Sequence, residues 1–311
     1  MTSKHVPSAS FPLCVVLLLA GITFADPNTP ALPDDLVDTL YPSLEGLAPG
    51  SAEAQDRQRQ AAQELGLPVE VRTRNTGIVL RLIPAGTFTM GSPESEAGRG
   101  EDEGPQHEVT LTQAFYCGKF EVTQGQWEQV CGSNPSYFQN AGLDAPVEQV
   151  SWDDCRVFLK KLCEVEGVPE GTYRLLTEAE WEYACRAGTQ TPFCYGTDLD
   201  SSMANFNGEY PYGARAEGVS RGMTTPVGSF HPNAWGLYDM HGNAWEWCQD
   251  WWGPYPSEPL TDPLGPASGD YRVLRGGGWD YDARGCRSAI RNGYTPDNRL
   301  LQGLRLARTT L

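Results

Sequence analysis

From residue 77 the chain alternates apolar and polar positions. IVLRLIPAGTFTMGS predicts two short strands around the turn Pro84-Ala85-Gly86. The stretch 92–107, SPESEAGRGEDEGPQH, is acidic, Gly-rich and poor in apolar residues, and reads as a surface loop. Alternation resumes in HEVTLTQAFYCGKFEVT, which predicts two more strands. The period then changes to that of a helix. Cys155, Phe158, Leu159, Leu162 and Cys163 recur at i, i+3, i+4, i+7 and i+8 as one buried stripe, with Arg156, Lys160 and Lys161 on the other faces. Three helix starts share one device: Thr123 with Gln126, Ser151 with Asp154, and Thr177 with Glu180. In each, a hydroxyl can cap a free amide while the side chain three residues on reaches back. The third helix turns Trp181, Ala184 and Cys185 inward.

Beyond residue 187 regular patterning fades. Residues 188–232 hold seven Gly among Asn, Pro and Ser, so these loops need side chains, cations or disulfides to hold them. The end of the chain, RVLRGGGWDYDARGCRSAIRNGYTPDNRLLQGLRLAR, predicts two strands around a loop that carries Arg284, Arg287 and Arg291 close to Cys286. Upstream, DPNTPALPDD has linker composition, and SAEAQDRQRQAAQEL predicts a short helix ended by Gly66. The expected organisation is a linker and helical extension over 26–76, outside the main domain or strapped across it. A loop-rich α+β domain with short strands and a few short helices follows over 77–311.

The first 25 residues change the compartment. Lys4 and His5 precede the ten-residue apolar run Leu13–Ile22 and the small-x-small site Thr23-Phe24-Ala25. That is the pattern of a cleaved secretory signal, and the run is too short to span a bilayer. The mature chain is therefore expected to be secreted or periplasmic, without a membrane span. Cleavage removes Cys14 and leaves eight cysteines, an even number that suits some disulfides without fixing their pairing. Cys155 and Cys163, on the buried stripe, read instead as free thiols. No CxxC pair is present, which disfavours a zinc ribbon. The formal charge of −17 argues against nucleic acid and anionic membrane surfaces as partners, and suits cation binding.

The densest chemistry lies in 233–252, NAWGLYDMHGNAWEWCQDWW, with five of the nine tryptophans. The turn His241-Gly242-Asn243 is flanked by Asp239 and Glu246. Carboxylates beside bent backbone offer the oxygen ligands a hard cation such as Ca²⁺ takes. The same residues also read as a tight turn in an aromatic core with its acids facing water. No HExxH, Walker A, GxGxxG or GxSxG motif occurs, so zinc hydrolase, nucleotide and serine-hydrolase chemistry find no support. Gly276-Gly277-Gly278 reads as a bend at a strand end.

The strings IPAGTFTMGS, EVTQGQW, PVEQVSWDDC, YRLLTEAEWEYACRAG, NAWGLYDMHGNAWEW, RVLRGGGW and GLRLAR, in this order between Pro84 and Arg308, resemble the formylglycine-generating enzyme, or sulfatase-modifying factor, family. The resemblance implies a C-type-lectin-like α+β fold. It implies structural Ca²⁺ at Asp239, Gly242, Ala244 and Glu246. A second site would begin at Asn205 and Phe206, where GVSRG (218–222) lacks the expected acid. Active members oxidise a sulfatase cysteine to formylglycine with Cu(I) and O₂, holding copper by two nearby thiolates just after a GGS-type turn. Here Gly278 stands in place of that Ser, and Trp279, Asp280 and Tyr281 precede a single Cys286. Soft Cu(I) wants soft sulfur, so copper is not expected. Cys248 is the one candidate to approach Cys286, as a second thiol or as a disulfide. Two functions follow. One is a non-catalytic module binding a protein or peptide, sulfatase-like, in a groove of Trp279, Tyr281 and Arg284. The alternative is an oxidase with Cys286 as its catalytic thiol.

Overall fold

A computed structural model describes residues 32–39 and 51–310. The expected signal sequence, its cleavage point and Cys14 lie outside the described residues. In chain order the elements are β1 (Leu36–Asp38), α1 (Ser51–Leu65), β2 (Glu70–Thr73), β3 (Val79–Ile83), β4 (Gly86–Met90), β5 (His107–Leu111), β6 (Phe115–Gly118), α2 (Gln124–Cys131), α3 (Trp152–Glu166), β7 (Tyr173–Leu175), α4 (Glu178–Arg186), β8 (Trp245–Trp251), β9 (Leu260–Thr261), β10 (Arg272–Arg275), β11 (Asn292–Tyr294), β12 (Gln302–Gly303) and β13 (Leu306–Thr309). They form a six-stranded sheet β1-β2-β3-β6-β13-β7, a four-stranded sheet β11-β10-β8-β12 and a three-stranded sheet β4-β5-β9. All pairings in the largest sheet are antiparallel.

The helices start as their polar residues dictate. Thr123, Ser151 and Thr177 each cap the amide three residues on, and Gln126, Asp154 and Glu180 each reach back to the cap amide. Such a cap is worth about 1 kcal/mol. Gly132 and Gly167 end α2 and α3 in the left-handed conformation. The α3 stripe is buried, with Phe158 stacked 4.8 Å from Trp127. Burying each large apolar side chain contributes about 1.5–3 kcal/mol.

The described residues before Gly77, 32–39 and 51–76, pack onto this framework. β1 and β2 form one edge of the six-stranded sheet, and Asp35 is buried against Arg308 and the Tyr173 hydroxyl. Helix α1 docks through Gln58, whose Nε2 donates to the carbonyls of Leu82 and Trp235, and the Trp235 indole donates to the Ala54 carbonyl. Strands of three and four residues are too short for period-two alternation to register. The C-terminal segment likewise yields four short strands, not two.

The interior is unusually ionic. Arg275 meets Glu182, Arg287 meets Glu103 and Glu96, Arg291 meets Glu178, and Arg305 meets Glu246, with every one of these side chains largely or wholly buried. Arg287 and Arg291, read from sequence as loop cations near Cys286, are structural partners of acids far upstream. The eight described cysteines are all free, so the expected disulfides, including Cys248–Cys286, are not formed. Cys248 packs with Val273 and Trp181 in one apolar cluster, and Cys286 with Phe193 and Phe206 in another. The long loops are held by side chains instead. Ser201 Oγ accepts from Val219 N, and Asn205 Nδ2 donates to the Met223 carbonyl. Among the described residues no helix is long and apolar enough to cross a membrane.

Candidate ligand groove

Two turns laced together build the site. Strand β10 runs into Gly276 and Gly277, at φ 97° and 82°, a region costly for any residue with a Cβ. A Cβ at Gly277 would lie 2.4 Å from the Gly285 carbonyl oxygen, so glycine is required there. Across from it, Gly242 N donates to the Gly276 carbonyl (2.7 Å) and Trp279 N to the Asn243 carbonyl (3.1 Å). Asn243 pins the second turn: its Nδ2 donates to Glu121 (2.8 Å), and its Oδ1 accepts from Thr225 N (2.9 Å) and Asn205 Nδ2 (3.0 Å). The tryptophan-rich stretch thus presents Trp245 beside Gly278.

Aromatic rings gather around these turns. Trp279 meets Phe138 edge-on at 5.3 Å, Phe138 meets Tyr137 at 4.9 Å, and Trp245 meets Tyr281 at 5.2 Å. Tyr137 is 70% exposed. The indole nitrogens of Trp245 and Trp279 are buried without a hydrogen-bond acceptor, and Glu148 Oε2 is buried without a donor. A Cβ at Gly278 would lie 3.1 Å from Asp280 Oδ1 and 3.6 Å from Trp245 Nε1, so these groups face one space. Asp280 is an exposed residue whose carboxyl is raised above its ordinary pKa by partial desolvation. Unpaired buried donors carry a desolvation penalty.

Of the expected groove residues, Trp279 and Tyr281 lie at this turn, packed against Phe138 and Trp245. Arg284 is an exposed side chain paired with Asp282 (2.6 Å), its stem against Gly98. Cys286 is fully buried, and burial pushes its thiol well up. Its carbonyl accepts from His241 Nδ1 (2.8 Å), while His241 Nε2 accepts from Cys194 N (3.0 Å). That pairing fixes a neutral imidazole, whose pKa burial lowers to about 4. A single inaccessible thiol does not fit a two-thiolate copper site.

Within the expected calcium set, Glu246 is engaged by protein donors. Glu246 spends both oxygens on Arg305 (2.7–3.1 Å) and on the Trp181 indole (2.6 Å). Ala244 N donates to Glu121, and Asp239 Oδ2 accepts from Gly228 N. Asp239 Oδ1 and Asn205 Oδ1 are left buried without partners. Burial, with Glu246 nearby, raises Asp239 to about 6. Glu121 is pushed well above its ordinary value by burial and then by Asp239 and Glu246. Among the described residues no three His, Cys, Asp or Glu are grouped to hold a metal ion. Phe206 is a buried core residue packed in the cluster with Phe193 and Cys286.

Glu121, Phe138, Glu148 and Trp245 join the site without having been singled out in sequence as groove residues. Glu148 and Trp245 lie within PVEQVSWDDC and NAWGLYDMHGNAWEW, two of the family strings. Residues 67–310 match the sulfatase-modifying factor enzyme 1-like domain. The chain belongs to the sulfatase-modifying factor family. Within that family it is 32% identical over 275 residues to the formylglycine-generating enzyme of Bos taurus, covering 70% of each chain. Its fold is similar to PvdO from Pseudomonas aeruginosa, with a TM-score of 0.65, 32% identity and coverage of 77% of this chain and 97% of that one. It is also similar to Treponema denticola variable protein 1, with a TM-score of 0.65, 28% identity and coverage of 78% and 99%. The loop-rich α+β fold expected from the sequence is the one this family member adopts.

Proposed function

We propose that this member of the sulfatase-modifying factor family is a non-catalytic binding module that takes a peptide segment of a protein partner, sulfatase-like, in the groove at Gly278–Tyr281. The observation that carries this reading is the turn itself. Where oxidation would need two thiolates, the chain has Gly278, Trp279, Asp280 and Tyr281, and the one thiol that follows is buried. The half-buried Trp279, with the exposed Tyr137 beyond Phe138, gives a peptide segment an aromatic surface to lie against. The mature protein acts outside the cytoplasm, as its N-terminal pattern suggests.

The test is incubation with Cu(I), O₂ and a peptide bearing the Cys-x-Pro-x-Arg signature, with peptide mass and aldehyde content followed alongside binding by calorimetry. The expected result is unchanged peptide that binds, with binding weakened at least tenfold by Trp279→Ala. Formation of formylglycine would establish the oxidase instead. Absence of binding would refute the peptide ligand.

A further inference from the structure

A cavity lies apart from the turn at Gly278, between the first turns of α3, strands β7, β8 and β10, and the loop 264–267. Its volume is about 970 Å³. Although the chain is strongly acidic, this cavity gathers Arg156, Lys160, Arg174 and Arg272 against only Asp153 and Glu170. Arg174 is committed to Glu180, and Lys160 to Glu170. Arg156 and Arg272 have no carboxylate within ion-pair distance among the described residues.

That sets them apart from Arg275, Arg287, Arg291, Arg305 and Arg308, each of which holds an acid. Arg272 is clamped between two indoles, 3.7 Å from the Trp152 ring and 3.4 Å from Trp251. Its Nη1 donates to the Gln249 carbonyl, and its Nε has no acceptor. Arg156 lies 5.3 Å over the same Trp152 ring. Two guanidiniums share one indole without a counter-ion. Burial, and then Arg156, lowers Arg272 to about 10, although Asp250 and Asp153 oppose this. Stacking holds such a pair in place but leaves its charge unneutralised. The rim adds Val157 and Leu264, 54% and 62% exposed, as apolar surface facing solvent.

We propose that this cavity binds a small amphiphilic oxyanion, its head held by Arg156 and Arg272 and its apolar body laid against Val157 and Leu264. Guanidinium is suited to planar or tetrahedral oxyanions through paired N–H donors. The head is therefore a carboxylate or a phosphate or sulfate ester. Nothing in this depends on the groove at Gly278.

Calorimetry on the full chain at fixed ionic strength, with phenyl phosphate, benzoate and inorganic phosphate as probes, tests the proposal. Phenyl phosphate or benzoate is expected to bind at least tenfold more tightly than inorganic phosphate. Which of the two binds better identifies the head group. Arg156→Gln, on an exposed helix position, should weaken binding at least tenfold without lowering the melting temperature. Leu264→Ser should erase the preference for the apolar body. Arg272→Gln is the stronger test if it folds, and Arg156→Gln decides if it does not. No binding by either organic probe, or binding unchanged in Arg156→Gln, would overturn the proposal.

Discussion

Glu246→Gln tests whether Glu246 serves as the counter-ion of Arg305. The carboxylate and guanidinium have side chains 1% and 0% exposed, joined by contacts of 2.7–3.1 Å. Glutamine keeps one acceptor oxygen and the volume but leaves the buried Arg305 without its main counter-ion. Breaking a buried pair in this way costs about 3–5 kcal/mol. The loss should depend on pH. Glu246 is one of the causes that hold Glu121 and Asp239 above their ordinary values. In the wild type Asp239 is raised to about 6, so its contribution to stability is complete below the ordinary carboxylate value and fades as pH rises through 6. Without Glu246, Asp239 and Glu121 ionise more readily and replace part of the missing charge. The variant should therefore lose most at pH 5 and less at pH 8. Urea unfolding followed by tryptophan emission at both pH values measures this. A loss under about 1 kcal/mol at pH 5, or a larger loss at pH 8, would refute the assignment.

Three further outcomes follow from the same geometry. Calcium and EDTA should leave the wild-type melting temperature unchanged, because Arg305 already occupies Glu246; a calcium-dependent rise abolished in Asp239→Asn would restore the metal site. Asp250 is raised to about 7, first by burial and then by Glu178, so its stabilising contribution fades as pH rises from 4 through 7, by an amount on the order of 4 kcal/mol. Asp250→Asn should match the wild type near pH 4 and exceed it at pH 8 in urea midpoint, and equal midpoints at pH 8 would count against the raised carboxyl. Gly277→Ala forces a Cβ onto the Gly285 carbonyl at positive φ and should destabilise by about 3 kcal/mol, and a urea midpoint within about 1 kcal/mol of wild type would show that the turn can relax.

Local chemistry was readable from the chain, and distant pairing was not. The capping boxes at Thr123, Ser151 and Thr177 and the α3 stripe depend on residues a few positions apart, so spacing alone reveals them. The turn at Gly276–Gly278 and the aromatics after it were legible for the same reason. Arg287 and Glu103 lie 184 positions apart, and no local pattern joins them. Glu246 was read beside a turn, and its partner Arg305, 59 residues away, could not be read from spacing. Arg284 was placed with Trp279 on proximity in sequence, while the short helical turn Ala283–Cys286 carries it to Asp282 and Gly98. The β1 and β2 strands escaped notice because three or four residues cannot establish a period.

Strand β13 lies inside the six-stranded sheet, with β6 on one side and β7 on the other. During synthesis on the ribosome, residues 115–118 and 173–175 emerge long before residues 306–309. Until those last strand residues appear, the sheet is split and both β6 and β7 present bare hydrogen-bonding edges. Loop closure over such separations is slow. Folding of this protein is therefore completed after translation of residue 309, and a nascent chain stalled short of residue 306 exposes two edges open to mispairing or to capture by a chaperone.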